Sequence, residues 1–290
     1  MATSAHHPIG AHVPASGGLA KRALPYVERA GATTLQVFVS NPRGWALAAG
    51  NPAQDEAFRA HCDAAGLPVF IHATFLVNLG SPTEATVERS VASLAHAAER
   101  ARAVGARGVV FHAGSAVAGT RREEAMSQLR EHLLPLLDSL PDDGPDLLVE
   151  PTAGGGFALA ARLEDLGPYF AAVDGHPRLG VCLDTCHVWA AGHDLAAPGG
   201  MKTTLDTLVA TVGEDRLKLV HANDSKDTVG SLRDRHETLG AGQIGLDAFA
   251  DLFTHPASRG VPIVVETPSG DDGAGHAADI AALAALRDGS

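Results

Sequence analysis

Eight short apolar or β-branched runs, each closing on a polar residue, recur along this chain at residues 7–13, 33–39, 68–73, 108–114, 147–152, 179–185, 217–224 and 262–267. Between them lie Ala-, Leu- and Arg/Glu-rich stretches with helical spacing, such as 83–106 and 121–140. Strands buried on both faces read as continuous apolar runs, and parallel strands need a crossover helix to bring the chain back. Eight such units predict a single-domain (β/α)8 TIM barrel over residues 1–290, with an open doubly wound sheet as the alternative that periodicity leaves. No linker, low-complexity tract or charge block divides the chain. The Gly/Pro-rich pieces 153–157, 197–200 and 270–275 each follow a strand by a few residues and read as βα loops, the part of a barrel that carries function.

The polar residues that close the runs carry the chemistry. His72, His112, Glu150, Asp184, His221 and Glu266 fall near the carboxyl ends of six consecutive strands, and His187, Asp234 and His236 lie in the loops just beyond. One histidine near a strand end is most simply a hydrogen-bonded structural residue. Six ligand-type side chains in register are different, because burying several carboxylates and imidazoles together without cations is strongly destabilising. The set therefore predicts bound metal. Its donors are imidazole nitrogen and carboxylate oxygen, which suits zinc, with manganese as the alternative at one or more positions. Nine ligands exceed one tetrahedral ion and suffice for three if a carboxylate bridges. Ions about 3.5–4 Å apart are typical of phosphoryl transfer, so phosphoester hydrolysis is the expected reaction class.

The remaining composition sets limits. The first residues show no basic start followed by an apolar run, and no stretch of about 18 apolar residues occurs, so a cytoplasmic chain without a membrane span is expected. Cys62, Cys182 and Cys186 are an odd number in a chain without an export signal, which argues against disulfides and for core packing. The net charge of −12 opposes a nucleic-acid partner, unless many acids are metal ligands whose charge bound cations invert. Fifteen histidines agree with that exception.

At this point the residues resemble the endonuclease IV family of zinc-dependent apurinic/apyrimidinic endonucleases. The resemblance runs from Ile9-Gly-Ala-His-Val13 to Glu266-Thr267. It is most specific in Val181-Cys-Leu-Asp-Thr-Cys-His-Val-Trp-Ala-Ala-Gly-His-Asp-Leu195 and in His221-Ala-Asn-Asp-Ser-Lys226 with Arg233-Asp-Arg-His236 and Leu239-Gly240. Val149-Glu-Pro-Thr-Ala-Gly154, Val110-Phe-His-Ala-Gly-Ser115 and Leu76-Val-Asn-Leu-Gly80 support it. The resemblance implies a xylose-isomerase-like barrel with three zinc ions: His72, His112 and Glu150 on the first, a bridging Glu150 with Asp184, His221 and Glu266 on the second, and His187, Asp234 and His236 on the third. It implies hydrolysis of the phosphodiester 5′ to an abasic site in double-stranded DNA, leaving a 3′-hydroxyl and a 5′-deoxyribose phosphate, with 3′-end cleaning as a further activity. Glu150 and Glu266 are the expected catalytic residues, orienting the nucleophile as well as binding metal.

Lesion recognition falls by the same resemblance to loops 41–45 and 74–76, with Asn41, Arg43, Phe75, Leu76 and Arg235 as expected DNA contacts. Arg43 would enter the base stack, and Phe75 stands where such enzymes often carry Tyr, keeping the stacking face without the hydroxyl. The simpler expectation for Phe75 and Leu76 is that they pack the barrel mouth. Lys21, Arg22, Arg121, Arg122, Lys202, Lys226 and Arg233 are further basic candidates, while His61, His96, His132, His255 and His276 receive no function. No obligate protein partner is expected. The competing class is a single-metal sugar isomerase or epimerase, which would use Glu150, Asp184, His221 and Glu266 but needs neither the His72–His112 pair nor Asp234 with His236.

Overall fold

The structure, a computed structural model, describes residues 7–289; the leading residues, where the sequence shows no export signal, lie outside them. Eight parallel strands close into a barrel: β1 (Ile9–His12), β2 (Leu35–Phe38), β3 (Val69–His72), β4 (Gly108–His112), β5 (Asp146–Glu150), β6 (Leu179–Asp184), β7 (Leu217–His221) and, last in the chain, β10 (Ile263–Val265), which pairs with both β1 and β7. Closure excludes the open doubly wound sheet. Two additional short strands, β8 (Asp224–Ser225) and β9 (His236–Glu237), form an antiparallel hairpin beyond β7. The expected strand over residues 217–224 thus ends at His221, and its last residue begins the hairpin.

The helices form where local chemistry starts and stops them. In α2 (Pro52–Ala65), Asn51 caps the first turn by accepting from the Gln54 N–H, and Pro52 supplies a fixed φ where no intrahelical donor is needed. Gly31, Gly66 and Gly105, which terminate α1 (Leu24–Ala30), α2 and α3 (Glu84–Val104), adopt φ of 66°, 65° and 73°, a left-handed cap that costs glycine little. The expected helix over 121–140 is α4 (Arg122–Asp138), which lies against α5 (Leu166–Ala172) on the outside of the barrel. A buried bidentate pair, Arg100 to Asp55 at 2.7 and 2.9 Å, fastens α3 to α2.

The core has two compartments. Strand residues of one parity, including Ile71, Val109, Phe111, Leu147, Val149 and Val181, face the helices and belong to one large apolar cluster. Residues of the other parity, Phe70, Val110, Leu148, Cys182, Leu219 and Val264, form a separate cluster that fills the barrel interior. Successive side chains alternate across a strand, so the next interior position on each of those six strands is two residues on. Those positions are His72, His112, Glu150, Asp184, His221 and Glu266. The metal-type residues therefore form the layer above the apolar plug, at the carboxyl mouth.

Candidate metal centre

The same alternation on the two remaining strands adds His12 on β1 and Gln36 on β2, which complete an eight-residue polar ring. Sequence reasoning passed over both. The available signal was the lone polar residue in Leu35-Gln-Val-Phe38 and the period-two register already used for the other six.

Glu150 stands at the centre. Its Oε2 lies 3.2 Å from His72 Nε2 and 3.5 Å from His112 Nε2, and its Oε1 lies 3.2 Å from both His221 Nδ1 and His187 Nδ1. Asp184 ends β6 and also caps α6 (Thr185–Ala190), accepting from the His187 N–H at 2.9 Å. That cap places His187 on the first turn of the helix, facing the cluster. The β8–β9 hairpin delivers the last two: Asp234 Oδ2 lies 3.2 Å from His187 Nε2, and Asp234 Oδ1 lies 3.0 Å from His236 Nε2. All nine expected ligands thus converge. Their donor atoms fall within 4.8 Å of one another in the sets His72–His112–Glu150, Asp184–His221–Glu266 and His187–Asp234–His236. Asp184 and His236 also group with Cys186, and Glu150 with Asp184 and His187. The three cysteines are buried and free.

The hydrogen bonds around the imidazoles fix which nitrogen faces inward. His72 Nδ1 donates to the Ala73 carbonyl at 2.7 Å, His187 Nδ1 to the Pro151 carbonyl at 3.1 Å, and His236 Nδ1 to the Glu266 carbonyl at 3.2 Å. His221 Nε2 donates to Gln36 Oε1 at 2.9 Å. In each case the opposite nitrogen keeps its lone pair toward the carboxylates, the arrangement that outer hydrogen bonds give to metal-binding histidines. With its proton on Nδ1, buried His236 Nε2 faces the Asp234 carboxylate as acceptor against acceptor, a cost that a bound cation would remove. Asn223 braces two carboxylates from behind: its amide donates to Asp184 Oδ2 at 2.7 Å, and its oxygen accepts from the Glu266 N–H at 2.8 Å.

The electrostatics show the same demand for positive charge. Burial would raise Glu150, yet His221, His187 and His72 hold its carboxyl well below the usual range. Burial would lower His187 and His221, but the anionic groups around them push both imidazoles well above the ordinary histidine value. Burial pushes Asp184 up, only partly offset by His187 and His236. Without a cation only protons could offset these carboxylates; with one, the inward imidazole lone pairs are free to ligate, and the donor set fits divalent cations.

Beside the centre opens a cavity of about 890 Å³, lined among others by His12, Tyr26, Phe38, Asn41, Phe75 and Glu266. Phe75 is 42% exposed; its ring stacks on His112 at 5.5 Å and 20° and meets the His72 ring edge-on at 5.4 Å. Leu76 is also exposed. The two expected recognition loops are tied together, since the Phe75 N–H and the Thr74 hydroxyl both donate to the Pro42 carbonyl, at 2.9 and 2.7 Å. Asn41 accepts from the Arg43 N–H at 2.9 Å, leaving the Arg43 side chain exposed. Most other basic candidates are engaged within the protein. Arg235 binds Asp227 at 2.5 and 2.7 Å, Arg233 lies 3.6 Å from the same carboxylate, and Lys202 pairs with Asp206. Lys226 lies 4.0 Å from Glu237, while Arg121 and Arg122 clamp backbone carbonyls of neighbouring loops. Lys21 and Arg22, in the segment after β1, are exposed.

Comparison with known proteins agrees with this geometry. Residues 24–287 match a family model described as a xylose isomerase-like TIM barrel. Proteins named probable endonuclease 4 from Streptomyces avermitilis and Streptomyces coelicolor are each 60% identical over 284 residues, covering 98% of this chain and 91% and 96% of those proteins. The crystal structure of endonuclease IV from Thermus thermophilus superposes with a TM-score of 0.85 at 38% identity, over 98% of this chain and 100% of that one. With the barrel, the ligand-type ring and relatives of this identity in agreement, the chain belongs to the endonuclease IV family and is a nuclease of the phosphodiesterase class.

Proposed function

We propose that this DNA repair endonuclease works as a single domain with three divalent ions, principally zinc with manganese admitted, and hydrolyses the phosphodiester 5′ to abasic sites in duplex DNA. The products are a 3′-hydroxyl and a 5′-deoxyribose phosphate, and the same centre trims blocked 3′ ends. The observation that carries this is the convergence of nine ligand-type side chains at one barrel mouth, separable into three sets around Glu150. When bound, zinc supplies a water of pKa about 7 and a Lewis acid for the phosphate.

The chain's own residues do the remaining work. His72, His112 and Glu150 would hold the first ion, Glu150, Asp184, His221 and Glu266 the second, and His187, Asp234 and His236 the third. Glu150 and Glu266 also orient the attacking water; the bond that breaks joins phosphorus to the 3′ oxygen. Asn41 shapes the loop that presents Arg43, Phe75 and Leu76 to the gap left by the missing base. Arg235, held by Asp227, contacts the backbone only if that pair opens or turns toward it. An acidic chain approaches DNA here because cations cancel the cluster's charge and because Lys21, Arg22 and Arg43 are exposed and available to phosphates. Among the described residues no helix is long and apolar enough to cross a membrane, and a cytoplasmic location alongside the DNA fits this function.

The test is a duplex carrying one tetrahydrofuran abasic analogue, incubated with the protein with and without a strong chelator. The analogue cannot undergo β-elimination, so a chelator-sensitive nick bearing a 3′-hydroxyl is the expected result. A single metal equivalent that persists after zinc supplementation, together with no nick, would favour the sugar isomerase class instead.

A further inference from the structure

Gln36 on β2 is fully buried, and every side-chain hydrogen bond it makes goes to a residue of the polar ring. Its Nε2 lies 2.7 Å from Glu266 Oε1 and 2.9 Å from His12 Nδ1, and its Oε1 lies 2.9 Å from His221 Nε2. A carboxylate only accepts, so the amide nitrogen must face Glu266 and the amide oxygen must face His221. That orientation requires the His221 proton on Nε2. The Nδ1 lone pair then faces Glu150 Oε1 at 3.2 Å and Glu266 Oε2 at 3.4 Å. On Glu266, Oε1 is taken by the Gln36 amide, whose second N–H faces His12 Nδ1, which leaves Oε2 turned toward His221.

We propose that Gln36 is a positioning residue of the metal centre: its amide fixes the His221 tautomer that presents Nδ1 to a cation, and ties back one Glu266 oxygen so that the other is free to ligate. This rests on the proposed metal function of His221 and Glu266. A glutamine retained for packing alone would more commonly satisfy its amide on backbone groups, which take most side-chain hydrogen bonds in proteins. Gln36 uses none. It also joins the β2 side of the barrel to ligands at the ends of β7 and β10. Partners of this kind change metal affinity by about 10- to 100-fold when removed.

The experiment uses the full chain with zinc alone as probe and no DNA. Gln36→Met keeps the volume and removes both polar functions; Gln36→Glu keeps an acceptor for His221 Nε2 but loses the donor to Glu266 and sets a second carboxylate against it. Three quantities are measured: zinc equivalents per chain, the rate of zinc release to a chelating dye, and the melting temperature of the stripped protein. Gln36→Met should release zinc about 10- to 100-fold faster and hold fewer equivalents, with the stripped variant melting like stripped wild type. Gln36→Glu should also release zinc faster than wild type, because it keeps only the His221 half of the contact and repels Glu266. Wild-type zinc behaviour in either variant, or a loss explained by a lower melting temperature of the stripped protein, would overturn the proposal. A wild-type chain that takes up no zinc would instead overturn the metal function on which it rests.

Discussion

Asp224 offers a sharp test of how a buried carboxylate organises this centre from outside it. Five backbone N–H groups converge on its side chain: Ser225 and Ile244 on Oδ1 at 2.8 and 2.9 Å, and Gly240, Gly242 and Gly245 on Oδ2 at 3.0, 3.1 and 3.3 Å. Asp224→Asn changes one atom. Asparagine's oxygen can serve only one of the two positions, and its NH2 group must face the other donors. The better orientation puts the oxygen at the Oδ2 position, and the Ser225 and Ile244 N–H groups then lose their acceptor. A buried donor left unsatisfied costs about 1–3 kcal/mol, so two cost at least about 2 kcal/mol before any relaxation of the loop. For a chain of this length that corresponds to a fall in melting temperature of roughly 3 °C or more. The effect should reach the metals, because Asp224 and Ser225 pair with Glu237 and His236 in the β8–β9 hairpin, which carries His236. The variant should therefore melt lower than wild type when both are stripped of metal, and should retain about one equivalent fewer when loaded. The assays are calorimetry on stripped protein and elemental analysis on loaded protein. A stripped Asp224→Asn melting within about 1 °C of wild type, with full metal content, would refute the account of this cradle.

Further expectations follow from the site. Glu266→Gln should keep the fold and lose most cleavage of the abasic duplex, since a neutral amide is a poorer ligand and, with its oxygen on the Gln36 donor, turns its NH2 to the ligating position; wild-type turnover would remove Glu266 from the centre. Arg43→Ala with Phe75→Ala should weaken discrimination between abasic and intact duplex about five- to a hundredfold, from roughly 1–3 kcal/mol of lost stacking, and less on a substrate already gapped. Because Phe75 stacks on His112, zinc content is measured in the same samples; an equal loss on both substrates, or a loss of zinc, would assign these side chains to supporting the ligands. Burial pushes the thiols of Cys62, Cys182 and Cys186 up to about 12, so the native chain should resist a disulfide thiol reagent at pH 8 and react fully once denatured. Rapid labelling of native protein would show that a thiol is exposed or ionised.

What the sequence determined by itself is what short-range geometry controls. A buried parallel strand must be apolar and alternate with period two, so the eight βα units and the in-register ring from His72 to Glu266 were legible before any coordinates. The helical stretches 83–106 and 121–140 were legible for the same reason, since their spacing is set within a few turns of backbone. The tertiary structure decided closure of the barrel, through the pairing of β1 with β10, and with it the entry of His12 and Gln36 into the ring. The period-two register hints at both, but each matters because a strand more than two hundred residues away brings Glu266 beside it. The structure also decided which basic side chains remain exposed. Arg235 and Arg43 look alike in sequence, but one finds Asp227 and the other projects from its loop. Long, flexible side chains choose partners across the surface, and that choice exists only once the loops have been folded against one another.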